Sequence, residues 1–151
     1  MKYDDASWHY GADNFPTESP DEYGGVHIAL FMKWCFQQGW AGDMHKLGAS
    51  NAVEKVISDK MSATEFFFKY CDGKLTDEDF NYEANKFAEA YYGDRGLYLG
   101  GFAHMFADLA YLHPESEFDY SLFNKTLADR YSSGRWKNHF GRYGNLRFRQ
   151  Q

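Results

Sequence analysis

Val26-His27-Ile28-Ala29-Leu30-Phe31-Met32-Lys33-Trp34-Cys35-Phe36 is the longest apolar stretch of the chain, and its reading decides the fold class. On a helix its apolar side chains cover nearly the whole circumference, the pattern of a helix buried on most sides. Asp21 and Glu22 supply negative charge at the N-terminal end, and Gly39 stands where a left-handed C-terminal residue is needed. The expectation is a helix over residues 21–38, central to the molecule. Broken by His27 and Lys33, the stretch falls well short of the roughly 20 residues that cross a bilayer, so no membrane span is expected.

Downstream, helical signals recur at short intervals. Ser50 is placed to cap a helix through Ile57, and Ser62 with Glu65 forms a capping box ahead of Phe66, Phe67, Phe68 and Tyr70, with Gly73 as the stop. Thr76 with Asp79 starts a further helix in which Phe80, Ala84, Phe87 and Tyr91 share one face, closed by Gly93. Leu97 to Leu112 repeats the helical period despite Gly100 and Gly101, and Pro114 ends it. Asp119 to Tyr131 follows, before Gly134, and the segment from Arg135 is either a short strand or an ordered tail. About six helices joined by short loops make a single all-α bundle over residues 1–151. Residues 1–20, with Pro16, Pro20, Gly11 and Asn14, read as an extended, turn-rich lead-in.

The net charge of −6 divides unevenly, with −12 over residues 1–129 and +6 over residues 130–151. Arg130, Arg135, Lys137, Arg142, Arg147 and Arg149 alternate there with Trp136, Phe140, Tyr143 and Phe148. This is either a nucleic-acid arm or a tail that folds back onto its own acidic body, and charge complementarity favours the second. The 14 Phe, 12 Tyr and 4 Trp exceed what a core of this size ordinarily needs, so some rings are available to a partner surface. Cys35 and Cys71, each inside an aromatic run, read as buried thiols of a reducing compartment, and the N-terminus lacks the pattern of a cleavable export signal.

None of His9, His27, His45, His104, His113 and His139 sits in a metal-binding spacing, neither cysteine is in CxxC, and no Walker A, G-x-S-x-G or G-x-G-x-x-G element occurs. No cofactor, metal or catalytic residue is therefore expected. Gly93-Asp94-Arg95-Gly96 reads as a plain turn. The densest local group is Asp4, Asp5 and His9 beside Trp8 and Tyr10. It is open to two readings: an acid–base or weak metal site of a small hydrolase or lyase, or a tethered N-terminus in which Trp8 and Tyr10 pack and the aspartates cap backbone N–H groups. His27 and His104 read as lone core histidines that meet if their helices pack together.

The opening Lys2-Tyr3-Asp4-Asp5-Ala6-Ser7-Trp8-His9-Tyr10-Gly11, then Phe15-Pro16, His27-Ile28-Ala29-Leu30-Phe31 and Trp34, resembles a family of small bacterial proteins without an assigned enzyme activity. Phe87-Ala88, Tyr91-Tyr92 and Tyr98-Leu99 extend the likeness, although Gly100 and Gly101 stand where relatives carry an acidic-aromatic pair. Small acidic proteins of this kind serve as immunity partners of secreted interbacterial toxins. The resemblance thus implies a cytoplasmic antidote that occludes the active site of a cognate, basic toxin domain. Its expected contact residues are Asp4, Asp5, Trp8, His9, Asp21, Glu22, Glu115, Glu117 and Asp119, with no membrane or nucleic-acid partner.

Overall fold

Every residue from Val26 to Phe36 is buried, His27 and Lys33 included. The computed structural model describes residues 1–92, 97–105 and 111–137, apart from the side chain of His104, and this stretch is its centre. Helix α2 (Val26–Gln37) ends at Gln38, with Gly39 at φ +83°, a left-handed residue that a Cβ would strain. Ahead of it, Asp21–Gly25 form a 3₁₀ turn instead of the expected first turn of the helix, because Gly24 and Gly25 propagate an α-helix poorly. A Cβ on Gly24 would lie 3.1 Å from the backbone N of Tyr10, so glycine there lets the N-terminal segment approach closely.

Around α2 lie α4 (Ser50–Ile57) and α5 (Ala63–Tyr70), which pack directly on it. From α6 (Tyr82–Tyr91), Phe87 stacks on Phe31 at 6.1 Å. From α7 (Leu97–Met105), Tyr98 meets Phe31 edge-on at 5.0 Å, and α8 (Tyr120–Ser133) buries Phe123 and Leu127. The expected all-α bundle is what the chain forms, with aromatic rings as its main packing material. Truncating a ring as enclosed as Phe31 costs about 3–5 kcal/mol. Cys35 and Cys71 are both free and buried, as read from their surroundings.

Elements that the sequence pattern did not announce complete the fold. Instead of a wholly irregular lead-in, β1 (Lys2–Asp5) pairs antiparallel with β2 (Lys74–Thr76), aligning Asp4 with Leu75, and runs straight into the one-turn helix α1 (Ala6–Tyr10). Helix α3 (Asp43–Gly48) was also missed, since six residues between glycines show no periodic apolar face. Ser50 opens α4 as its first helical residue and makes no cap. Ser62 does accept from Glu65 N at 3.0 Å. The Thr76–Asp79 capping box exists, but it caps only a 3₁₀ turn over Asp77–Asp79; α6 starts later, on the Asn81 side chain.

The basic tail is described only through Lys137. Within that part Trp136 is buried against Phe87 and Tyr131, its indole N–H donating to Tyr131 O at 2.9 Å. That ring is spent on the acidic body. Arg142, Arg147, Arg149 and the 93–96 turn lie outside the described residues. Among the described residues no helix is long and apolar enough to cross a membrane.

Candidate functional site

The short β1 strand decides where the first charged groups of the chain go. Alternation along the strand turns its consecutive carboxylates to opposite faces and different tasks. Asp5 turns to the backbone: its Oδ1 accepts from Ser7 N at 2.9 Å and Ser7 Oγ at 2.7 Å, capping α1, and Oδ2 pairs with Lys2 Nζ at 2.9 Å. Asp4 turns inward, and α1 brings His9 back over it so that His9 Nε2 stands 2.7 Å from Asp4 Oδ1. The first turn of α2 adds His27, whose ring meets that of His9 edge-on at 4.3 Å.

Tyrosines close this centre. Tyr92, at the end of α6, donates its O–H to Asp4 Oδ2; Tyr111 Oη lies 2.6 Å from His9 Nδ1; and Tyr98 donates to the backbone carbonyl of His27 at 2.5 Å. A carboxylate can only accept, so His9 donates through Nε2, and the neutral ring then accepts the Tyr111 O–H at Nδ1. Asp4 is buried, which alone would raise its pKa, but the imidazoles of His27 and His9 beside it outweigh that and hold it well below the usual carboxylate range. For His27 the balance goes the other way. Complete burial and the neighbouring His9 push its pKa down, against the pull of Asp4, so it is held neutral. Burial, then the charge of Asp4, raises the phenol pKa of Tyr92 and Tyr111.

One group in this centre is unsatisfied. Neither nitrogen of His27 makes a hydrogen bond among the described residues, although the residue is fully buried. Its Nε2 comes to 3.5 Å from Asp4 Oδ2, close enough for charge to act but too poorly placed for a hydrogen bond. An orphaned buried polar atom costs about 1–3 kcal/mol.

A second buried group looks similar on paper. His45 from α3, Cys71 after α5 and Asp79 before α6 gather in the interior, with His45 Nε2 2.7 Å from Asp79 Oδ1 and 3.8 Å from Cys71 Sγ. A nucleophilic relay needs the carboxylate on one ring nitrogen and the thiol on the other. Here both face Nε2. Burial first, and then Asp79, drive the Cys71 pKa up, so the sulfur stays an unreactive thiol beside Met32 Sδ at 3.8 Å. Asp79 Oδ2 accepts from Thr76 N at 2.7 Å. This centre is a structural tie.

A family model described as a domain of unknown function (DUF7832) matches residues 2–130. The chain belongs to that family. No curated protein and no solved structure matches it. The DUF7832 match starts with β1 and ends within α8, so it contains both buried centres and leaves out all but the first residue of the basic tail.

The nine contact residues expected from the sequence do not form one face of this DUF7832 protein. Asp4 and Asp5 are buried, and His9 is half-buried against Asp4. Nor do Asp4, Asp5 and His9 converge as a set of three. Trp8 is 56% exposed, with Lys2 Nζ 5.1 Å above its ring, which corrects the expectation that it packs on the bundle. Glu117 bonds His113, and Asp119 caps α8 through Ser121 N at 2.9 Å; both are exposed. Asp21 and Glu22 lie exposed on the 3₁₀ turn. Glu115 reaches across to cap α5, accepting from Ala63 N at 2.9 Å and from Thr64 N at 2.8 Å.

Glu22 and Glu115 nevertheless share a surface groove of about 610 Å³ with Glu65, and its floor includes Tyr23, Val26 and Phe68. Lys69 is the one cation among the residues that line it. Sequence reasoning passed over Glu65, which read as part of a capping box, and Phe68, which read only as part of the helix behind it. His27 was visible as a polar residue in an apolar run, but the neighbour expected for it was His104, whose side chain lies outside the described residues.

Proposed function

We propose that this protein is an immunity protein that acts in the cytoplasm of the producing cell, binding a basic domain of a secreted bacterial toxin and occluding its active site. The observation that carries this reading is the groove, where Glu22, Glu65 and Glu115 surround an aromatic and aliphatic floor. An arginine or lysine side chain from a partner would lay its methylene stem on Phe68 and Tyr23 and meet carboxylates at the rim. The excess of acidic charge outside the tail adds long-range attraction for a basic partner. The N-terminal block resembles a family of small bacterial proteins, and the use of small acidic proteins of that kind as antidotes supports the same reading.

Co-expression with the C-terminal domain encoded by the adjacent gene tests it, through growth rescue and co-purification. The expected result is a toxic domain that this chain neutralises in a stable complex, with Glu22→Lys and Glu65→Lys each weakening the complex about tenfold or more, most at low salt. A complex indifferent to both charge reversals, or no rescue at all, rejects the proposal. A second reading, acid–base chemistry, has one specific observation in its favour: the continuous Tyr111–His9–Asp4 hydrogen-bond chain. It needs Asp4 and His9, and no longer Asp5.

A further inference from the structure

We propose that Asp4, His9 and His27 form a binding site for one divalent transition-metal ion of the zinc class, independently of the groove. The donor set is two imidazoles and one carboxylate, whose candidate ligand atoms all lie within 4.8 Å of one another. Such a set suits zinc and its neighbours and leaves a coordination position for water or another ligand.

Three features of the centre ask for a cation. The first is His27, a fully buried imidazole aimed at Asp4 with both nitrogens unpartnered among the described residues. A metal would take one of those lone pairs. The second is spacing: two ligands each about 2.0–2.1 Å from a tetrahedral ion lie about 3.4 Å apart. His27 Nε2 and Asp4 Oδ2 stand 3.5 Å apart, too far for a good hydrogen bond and right for a shared ion, while His9 Nε2, 2.7 Å from Asp4 Oδ1, draws back by about 0.7 Å to join them. The third is charge. Asp4 is a buried carboxylate whose ion-pair partners among the described residues are the two histidines alone, whereas Asp5 next to it has Lys2.

The outer contacts already present fit a loaded site. Binding through His9 Nε2 moves that ring's proton to Nδ1, where Tyr111 Oη, 2.6 Å away, accepts it. A histidine ligand characteristically donates its second N–H in this way. The Tyr92 O–H on Asp4 Oδ2 fixes the carboxylate, and Tyr98 on the His27 carbonyl fixes the first turn of α2. Chain entry into this centre comes from β1, α1, α2 and the ends of α6 and α7, so a bound ion would clasp the N-terminal segment to the bundle.

Titration of the chelator-treated full chain with Zn²⁺ and with Co²⁺, followed by calorimetry and visible absorption, tests the site. One equivalent is expected per chain, with cobalt d–d bands and no thiolate-to-cobalt charge transfer, unchanged in Cys71→Ser. His9→Gln should weaken binding about 100-fold and Tyr111→Phe about 10-fold. Circular dichroism should show both variants folded, and Tyr111→Phe, which removes only a hydroxyl, keeps the test valid if His9→Gln does not fold. The proposal is overturned by no saturable binding, by affinity unchanged in both variants, or by a thiolate band lost in Cys71→Ser, which would place the ion at His45 and Asp79.

Discussion

Two interior histidine–carboxylate pairs sit among the described residues, Asp4–His9 with His27 beside it and Asp79–His45 with Cys71 beside it, each with a 2.7 Å contact between ring nitrogen and carboxylate. They differ in what is left over. Both oxygens of Asp79 are engaged, by His45 and by the backbone of Thr76, and the thiol is held inert. Around Asp4 the carboxylate is equally well served, yet the third group, His27, has no hydrogen bond among the described residues. Completeness marks a structural tie, and the unpartnered imidazole beside an otherwise complete network is what carries the proposed metal site.

The largest expected effect breaks the complete centre. His45→Leu leaves Asp79 buried with one side unpaired and should cost about 3–5 kcal/mol in urea unfolding. A loss under about 1 kcal/mol would mean that the pair is not the tie described. Next comes Tyr92→Phe, which removes the O–H from Asp4 Oδ2. A hydrogen bond to a charged group is worth about 1.5–3 kcal/mol, and a midpoint shift of that size is expected. Far smaller is the effect of His27→Leu in chelator: with no hydrogen bond to lose, stability should stay within about 1 kcal/mol of the parent. A loss as large as that of His45→Leu would erase the contrast between the centres.

The smallest effect lies away from both centres and serves as their control. The Glu83 carboxylate accepts from the Tyr131 O–H at 2.7 Å and pairs with Lys86, and these partners, Tyr131 first, lower its pKa. A folded-state pKa below the unfolded value of 4.5 gives stability that is present above that pH and lost as pH falls through the folded value. Because the side chain is 34% exposed, solvent screening holds the contribution to a few tenths of a kcal/mol. Glu83→Gln should therefore lower stability by about those few tenths of a kcal/mol at neutrality, flatten the curve slightly below pH 4.5, and converge with the parent at lower pH.

Part of this arrangement was legible in the chain. The run from Val26 to Phe36 determined a buried central helix, because side chains apolar around the whole circumference have nowhere to go but the interior. A capping residue also read true where its side chain meets a backbone N–H three positions on, as with Ser62. Asp4 and His9 stood out as a pair, and the structure joins them. Asp5 stood out equally and belongs to the cap of α1, as the tethered reading had it, whereas Asp4 turns inward, a choice that only the pairing of β1 with β2 decides. The β1–β2 pair escaped notice, since four residues and three residues 72 positions apart carry no alternation long enough to read.

What the sequence by itself determined was an all-α, aromatic-packed body with acidic charge everywhere except its C-terminal segment, since periodicity and composition act locally and add along the chain. What only the tertiary structure decided was which polar groups meet. His27 gains its meaning from Asp4, His9, Tyr98 and Tyr111, brought together from opposite ends of the chain. Glu115 becomes the cap of a helix that begins 52 residues earlier. Hydrogen bonding and burial depend on distances in space, and in a bundle those distances are fixed by how the helices pack, which no spacing along the chain records.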